Sequence, residues 1–221
     1  MRDLAAKSLL LLAIDTCGPA GSVALGRLSG DSVEILGQTE LEGRSYSAKL
    51  VATVGDLLGS HGVKLRDVGC IVAVNGPGSF TGVRVGLSTV KGFAMGAGMP
   101  VVAISRLAVL AGKAQVNAAA LDAHRGEVFL RIVGGELLAG ADELAEIAAP
   151  ERVAVCDEAA AKLLRTVWTE AGLVEAPAPT AADALLQAVP HVLAGDFVEL
   201  ALLDGNYLRR PDAEIHFGAQ A

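Results

Sequence analysis

The sequence is poor in aromatic residues, in cysteine and in long hydrophobic runs, and each shortage excludes a class of protein. Aromatic residues make up 4% of the 221 residues, so a core has to be built from alanine, valine and leucine. The longest apolar run, Leu9 to Ile14, is far shorter than the roughly 20 residues that span a bilayer, so no membrane-spanning helix is predicted. The three scattered cysteines are typical of reduced thiols, and we expect a cytoplasmic protein.

Basic residues are also in the minority. The chain has 18 Lys and Arg against 25 Asp and Glu, which gives a formal net charge of −7. A protein that binds RNA by itself needs clustered cations that displace counterions from the phosphates. We therefore expect the isolated chain to lack specific affinity for nucleic acid. Because 52% of the residues are apolar and 19% are charged, the composition also excludes intrinsic disorder.

The sequence does contain an alternation of apolar strands and amphipathic helices that occurs twice. The first half has the pattern of three strands, a helix, a strand, a helix and a strand. The segment LLLLAIDTCGPAGSVAL is echoed later by VNAAALDAHRGEVFLRIV, and the first strand of each copy ends in an aspartate, Asp15 or Asp122. We predict an α/β protein with two related halves and mixed sheets, residues 1–105 and a smaller or degenerate half, residues 106–221.

A duplicated βββαβα unit with an aspartate at the strand end is the plan of the actin-like ATPases (ASKHA proteins), which have ribonuclease H-like halves. In that superfamily the first hairpin faces the phosphates of ATP and a glycine pair in the second half seats the adenosine. Asp15 and Thr16 are candidates for a degenerate phosphate site, although Asp15 could equally cap a turn. The segment VAVCDEAAAKL has no such glycine pair. We therefore expect no bound cofactor on the isolated chain, and ATP or ADP only within a complex with a partner.

A glycine-rich turn, NGPGSFTG, precedes the second helix of the first half. We predict that Gly76, Pro77 and Gly78 form the turn, and that Ser79 or Thr81 caps the helix. The turn lacks the glycine and lysine of a P-loop, the third glycine of a dinucleotide fingerprint and the first glycine of a nucleophile elbow. The segment therefore matches none of these three kinds of site.

Glycines continue into the predicted helix and follow one helical stripe. Glycine in a helix interior costs about 1 kcal/mol relative to alanine, so a run of glycines indicates the close approach of another backbone. That backbone belongs either to the neighbouring helix, Ser47–Leu58, or to another protein chain. The candidate interface residues come from these two helices: Tyr46, Ser47, Leu50, Val54, Gly82, Gly86, Thr89, Phe93 and Gly96.

Four segments together resemble the TsaB (YeaZ) family: LLAIDTCGPAGSVAL, NGPGSFTGVRVGLSTVKGFA, PVVAISRLAVLA and ALDAHRGEVF. That family belongs to the bacterial machinery that makes N6-threonylcarbamoyladenosine at position 37 of tRNA. The resemblance implies an actin-like fold and a pseudo-enzyme that is similar to the catalytic subunit TsaD but lacks its metal-binding histidines. It also implies pairing with TsaD, or with a second copy, through helices of the N-terminal half. TsaE, an ATPase, is the implied third partner, and tRNA is reached only through the complex.

The histidines agree with that resemblance, since they have no spacing typical of metal ligands, and we predict no metal site. The sequence departs from the family at two positions. Tyr46-Ser47-Ala48 stands where many members have His-Ser-Glu, and Cys17 stands where serine is common. The first departure argues against a histidine in the partner contacts, and the second is compatible with packing.

Two other functions stay open beside that of a non-catalytic subunit supporting the transfer of threonylcarbamoyl to tRNA. One is an ATP-dependent small-molecule kinase of the same fold, in which Asp122 would be the candidate base. The absence of the glycine pair that would seat the adenosine argues against such a kinase. The other is a peptidase, for which the sequence offers neither a Ser/His/Asp arrangement nor a zinc site.

Overall fold

Two five-stranded mixed sheets form the framework of the molecule, for which the computed structural model describes residues 8–42 and 46–209. The elements of the first half are β1 (Leu9–Asp15), β2 (Ala20–Ser29), β3 (Ser32–Glu42), α1 (Tyr46–Ser60), a 3₁₀ helix (Leu65–Asp67), β4 (Cys70–Val74), α2 (Phe80–Ala97), β5 (Val101–Ile104) and α3 (Arg106–Lys113). Those of the second half are β6 (Ala118–Asp122), β7 (Val128–Ile132), β8 (Gly135–Ala139), α4 (Ala141–Glu146), β9 (Arg152–Val155), α5 (Glu158–Val167), β10 (Gly172–Glu175) and α6 (Ala181–Ala194).

Both sheets have the same strand order and the same strand directions. The first runs β3-β2-β1-β4-β5, with β1, β2 and β3 antiparallel and β4 and β5 parallel to β1. The second runs β8-β7-β6-β9-β10 with the same directions. The predicted duplication of an α/β unit with mixed sheets is therefore confirmed.

The apolar sequence patterns explain where the first core lies. β1 is an almost continuous apolar run because, as the central strand, it is covered on both faces. On α1, Leu50, Val54 and Leu57 lie three or four residues apart and are buried on the sheet side. α2 buries Val83, Leu87, Val90 and Ala94 in the same way, as the helical spacing predicts.

Two helices, α3 and α6, connect the two sheets: α3 packs on the second sheet and α6 packs on the first. On α3, Leu107 and Leu110 are buried with Leu121 and Phe129 of the second sheet. α6 follows the second sheet in sequence but buries its apolar face in the first core. The division at residue 105 stays a prediction about domains, but the packing of α6 means that residues 1–105 do not complete their own core.

A segment after α6, which we call the C-terminal strap (residues 203–209), joins the two halves. The amide N of Asn206 donates to the carbonyl of Asn75 at the end of β4, 2.7 Å away. Its side-chain Nδ2 donates to Glu136 on β8, 2.6 Å away. Arg209 donates to the carbonyl of Ala123, at 2.8 Å, in the turn after β6. The strap thus crosses the ends of strands from both sheets.

Candidate functional site

The glycine-rich turn packs backbone to backbone against the turn between β1 and β2. Ser79 N donates to the carbonyl of Cys17, 2.8 Å away. Gly78 has a φ of +157°, and a Cβ there would lie 2.2 Å from the Cys17 carbonyl oxygen, so only glycine fits this approach. Of the two predicted caps, Ser79 is the one that caps α2, because its side chain accepts a hydrogen bond from Gly82 N. Thr81 is exposed in the first turn of that helix.

Gly82 and Gly86 of α2 contact the same β1–β2 turn. A Cβ at Gly82 would lie 2.0 Å from the carbonyl oxygen of Thr16, and one at Gly86 would lie 2.3 Å from its Oγ1. The Thr16 hydroxyl also donates to the carbonyl of Gly82, 2.7 Å away. The close neighbour of these two glycines is thus a turn of the same chain. The prediction that they face a partner protein is wrong, because neither is exposed.

Asp15 is buried at the end of β1 and both of its carboxylate oxygens have partners. Oδ1 accepts a hydrogen bond from Cys17 N at 2.8 Å, and Oδ2 lies 3.3 Å from Nε of Arg106. The Arg106 side chain is 7% exposed and that of Asp15 is 1% exposed. Burial by itself would lower the pKa of Arg106. The charge of Asp15, the smaller contributions of Cys17 and Cys156, and the hydrogen bond to Asp15 together outweigh burial and raise that pKa, so the guanidinium stays charged.

The Arg106 guanidinium also occupies the space over the β1–β2 turn. A Cβ at Gly18 would lie 2.3 Å from its Nη2. On the other side, the Tyr46 hydroxyl donates to the carbonyl of Gly18, 2.9 Å away, and burial raises the pKa of Tyr46 to about 12. Burial likewise raises the pKa of the Cys17 thiol, which keeps it protonated. The candidate phosphate residues Asp15 and Thr16 are therefore fully engaged within the chain.

Asp122, the equivalent aspartate of the second half, caps its own turn. Its Oδ1 accepts a hydrogen bond from His124 N, and its Oδ2 lies 2.8 Å from Nδ1 of His124. Beside it, a cavity of about 380 Å³ opens at the ends of β9 and β10. Three carboxylates line that cavity, from Asp157, Glu158 and Glu175. Glu158 and Glu175 pair with Arg165, and the lining residues include no cation that could bind a nucleotide phosphate, so the cavity lends no support to a kinase that uses Asp122.

The remaining interface candidates divide between the core and the surface. Tyr46, Leu50 and Val54 are at most 6% exposed and pack within the chain, which corrects the prediction that they contact a partner. The others lie towards the outside of α1 and α2, either exposed or half-buried: Ser47, Thr89, Phe93 and Gly96.

Exposed residues on the outer sides of α1 and α2 form a set that we call the open face. It consists of the exposed residues Ala48, Val51, Ala52, Gly55 and Gly59 on α1, and Ser88, Gly92, Met95 and Gly96 on α2. Val51 is 59% exposed and Met95 is 75% exposed. A Cβ added at any of the four glycines would find no atom within 4 Å. Nothing in the described part of the chain therefore requires glycine at these positions.

Arg106 is the residue of this site that sequence reasoning missed. Its signal in the sequence is a lone cation in the apolar segment VVAISRLAVLA. A buried charge is costly unless it is paired, so that pattern could have pointed to a partner carboxylate. The partner, Asp15, lies 91 positions earlier, and local patterns carry no information about such a contact.

No group of three or more His, Cys, Asp and Glu side chains within the described residues is arranged to hold a metal ion. Among the helices of residues 8–42 and 46–209, none combines the length and the apolar character needed to cross a membrane.

The repeated strand order and the aspartate-bearing hairpins define an actin-like protein with two ribonuclease H-like halves. Residues 38–161 match the model of a family described as TsaD: tRNA N6-adenosine threonylcarbamoyltransferase. Since that match spans more than half of the sequence, the chain belongs to this family.

Individual relatives bear the names TsaB and YeaZ. The TsaB protein of Haemophilus influenzae is 37% identical over 129 residues, 56% of this chain and 53% of the relative. That of Escherichia coli is 37% identical over 125 residues, 54% of this chain and 52% of the relative. The chain thus spans about half the length of the curated relatives it matches. The structure of YeaZ from Pseudomonas aeruginosa superposes with a TM-score of 0.71 at 29% identity, covering 90% of this chain and 100% of that one. The resemblance to the TsaB (YeaZ) family is therefore confirmed.

Proposed function

We propose that this protein is a non-catalytic subunit of the machinery that makes N6-threonylcarbamoyladenosine in tRNA. In this role it docks a TsaD-type catalytic subunit through the open face and supports the transfer of threonylcarbamoyl to the tRNA adenosine. Family membership supports the pathway, since two relatives are named as tRNA threonylcarbamoyladenosine biosynthesis proteins.

The observation that carries the docking role is the set of glycines on the open face. Each glycine in a helix interior costs about 1 kcal/mol relative to alanine. Gly82 and Gly86 offset that cost by admitting the β1–β2 turn, whereas Gly55 and Gly92 have no atom near their Cα on the open side. A second protein whose helices approach closely would give these glycines a function. The exposed side chains of Val51 and Met95 would supply apolar area to such a contact.

The non-catalytic role is supported by the Asp15–Arg106 pair. An actin-like enzyme needs its first-hairpin aspartate free to act on a cation or a phosphate. Here that carboxylate is neutralised by a buried guanidinium of the same chain. Opening the site would leave a buried charge unpaired, at a cost of about 3–5 kcal/mol. We therefore propose that the isolated chain binds no cofactor, and that ATP or ADP enters only with a partner subunit.

The open face also determines the order in which the remaining partners bind. A second copy of the chain and a TsaD-type subunit would compete for the open face. Without the TsaD-type subunit a second copy occupies that face, so the isolated chain is a homodimer. A TsaE-type ATPase would join the heterodimer, and tRNA would be bound only by the assembled complex because the chain itself is acidic. All these steps belong to the cytoplasm, where tRNA is modified.

Co-purification with the TsaD-type subunit of the same organism tests this proposal. We expect the wild-type chain to be retained, and Gly92→Leu to lose retention because leucine obstructs close helix contact. Ala159→Leu is the matched control, since it adds the same side chain at an exposed position of α5. The melting temperature of Gly92→Leu should not fall, because leucine is the better helix former. Failure of the wild-type chain to bind would refute the docking role.

A further inference from the structure

A stack of three side chains lies at the start of α2. Phe80, its first residue, is 39% exposed. Arg84, one turn later, places Cζ 3.7 Å from the centroid of the Phe80 ring. Tyr207 of the C-terminal strap lies on the same ring, with centroids 5.2 Å apart and planes at 51°. An exposed guanidinium is thus held in place by an aromatic ring that the strap supports.

Arg84 is a cation in the second turn of α2. α2 has no acidic residue in its first turn, and within the described residues no carboxylate is paired with Arg84. The contact with Phe80 stabilises the exposed cation. Within the described residues this fixed cation has no counter-ion, and its exposed edge is open to an anion.

Arg84 extends the open face towards the N-terminus of α2. Positions 84, 88, 92 and 95 follow one another at intervals of three or four residues, so their side chains lie along one side of the helix. Ser88, Gly92 and Met95 belong to the open face, and the next ionisable residue on α2 is another cation, Lys91. The helix therefore presents only positive charge, and a matching partner surface has to be acidic.

We propose that Arg84, held on Phe80, is the anchor by which the open face recognises a carboxylate of the TsaD-type catalytic subunit; this inference rests on the proposed function above. With one face of the guanidinium on the ring, its N–H groups at the edge stay free for two parallel hydrogen bonds to a carboxylate. Because the side chain is already ordered, less rotamer entropy is lost on binding. Arginine is one of the residues that dominate binding energy at protein interfaces.

Isothermal titration of the wild-type chain and five variants with the TsaD-type subunit of the same organism tests the anchor. We expect Arg84→Ala to weaken binding by about 30-fold or more, as for a residue that dominates an interface. Arg84→Lys should restore only part of the affinity, because lysine keeps the charge but lacks the planar fork. Phe80→Ala should weaken binding by roughly 2- to 5-fold through loss of the contact that holds the guanidinium.

Arg66→Ala is the matched control, because Arg66 is also exposed but lies in the 3₁₀ helix before β4; it should bind as the wild-type chain does. The melting temperatures of the Arg84 variants should stay at the wild-type value. If Arg84→Ala binds within twofold of the wild-type chain while Gly92→Leu does not bind, the anchor is overturned and the docking role stands. If the wild-type chain itself does not bind, both fail.

Discussion

The Asp15 carboxylate lies 3.3 Å from Nε of Arg106, and both side chains are buried. The pair joins the end of β1 to the start of α3, the helix that packs on the second sheet. It therefore links the two halves at the point where an actin-like ATPase holds the phosphates. In this chain the ion pair has a structural role at that point.

The ion pair can be tested by removing one partner or both. We expect Arg106→Met to lower the free energy of unfolding by about 3–5 kcal/mol, because Asp15 would be left as an unpaired buried charge. The double variant Asp15→Asn/Arg106→Met should lose clearly less, since no buried charge remains. Urea denaturation of the two variants and the wild-type chain measures the difference. Equal losses in the single and double variants would show that Asp15 and Arg106 are not coupled.

The two classes of glycine on α2 predict opposite effects of the same substitution. Gly82→Ala should lower the melting temperature, because its Cβ would meet the Thr16 carbonyl oxygen at 2.0 Å and overpacking costs about 1–3 kcal/mol. Gly92→Ala should raise the melting temperature, because no atom lies within 4 Å of its Cβ and alanine is favoured in a helix by about 1 kcal/mol. The melting temperatures of both variants, measured by thermal unfolding, test this difference. A similar shift of the melting temperature in both would contradict the assignment of Gly82 to an internal contact.

Nucleotide binding by the isolated chain should be absent at micromolar concentrations. Asp15 is paired with Arg106, and the cavity beside Asp122 is lined by Asp157, Glu158 and Glu175. At each place a carboxylate could hold a phosphate-bound magnesium ion only by giving up an existing contact, with Arg106 for Asp15 and with Arg165 for Glu158 and Glu175. Calorimetric titration of the chain with ATP and magnesium is the measurement. A dissociation constant in the micromolar range would restore the kinase alternative.

The fold could be predicted from the sequence because its signals are local. The strand-end aspartates Asp15 and Asp122 revealed the duplication, and the spacing of Val83 and Leu87 on α2 gave its buried face. The sheet on which α6 packs could not be predicted in this way. Its apolar spacing shows that one face is buried, but both sheets offer a similar apolar surface, and only the tertiary structure selects the first sheet.

The same limit explains why the glycine stripe was misassigned. Gly86 and Gly96 are ten residues apart, about 2.8 helical turns, so they do not face the same neighbour. Gly86 faces Thr16, and Gly96 is exposed. Helical periodicity shows which residues share a face of the helix, but it does not show which face a segment remote in sequence will contact. Arg106 was missed for a related reason, since its partner is remote in sequence.

Tyr46 provides a prediction about stability at alkaline pH. Burial, with the nearby charge of Asp15, raises its pKa to about 12 from an ordinary value near 10. The folded state therefore holds the phenolic proton more tightly than the unfolded state does. That contribution to stability is complete below pH 10 and is lost as the pH rises towards 12.

Tyr46→Phe should abolish this loss, although phenylalanine also gives up the hydrogen bond to the Gly18 carbonyl, which costs about 0.5–1.5 kcal/mol at neutral pH. The stabilities of the variant and the wild-type chain should therefore converge between pH 10 and 12. Urea denaturation of both proteins at pH 8 and pH 11 measures the convergence. A constant difference across that range would mean that the Tyr46 hydroxyl titrates alike in the folded and unfolded states, and that its contact with Gly18 does not hold the proton.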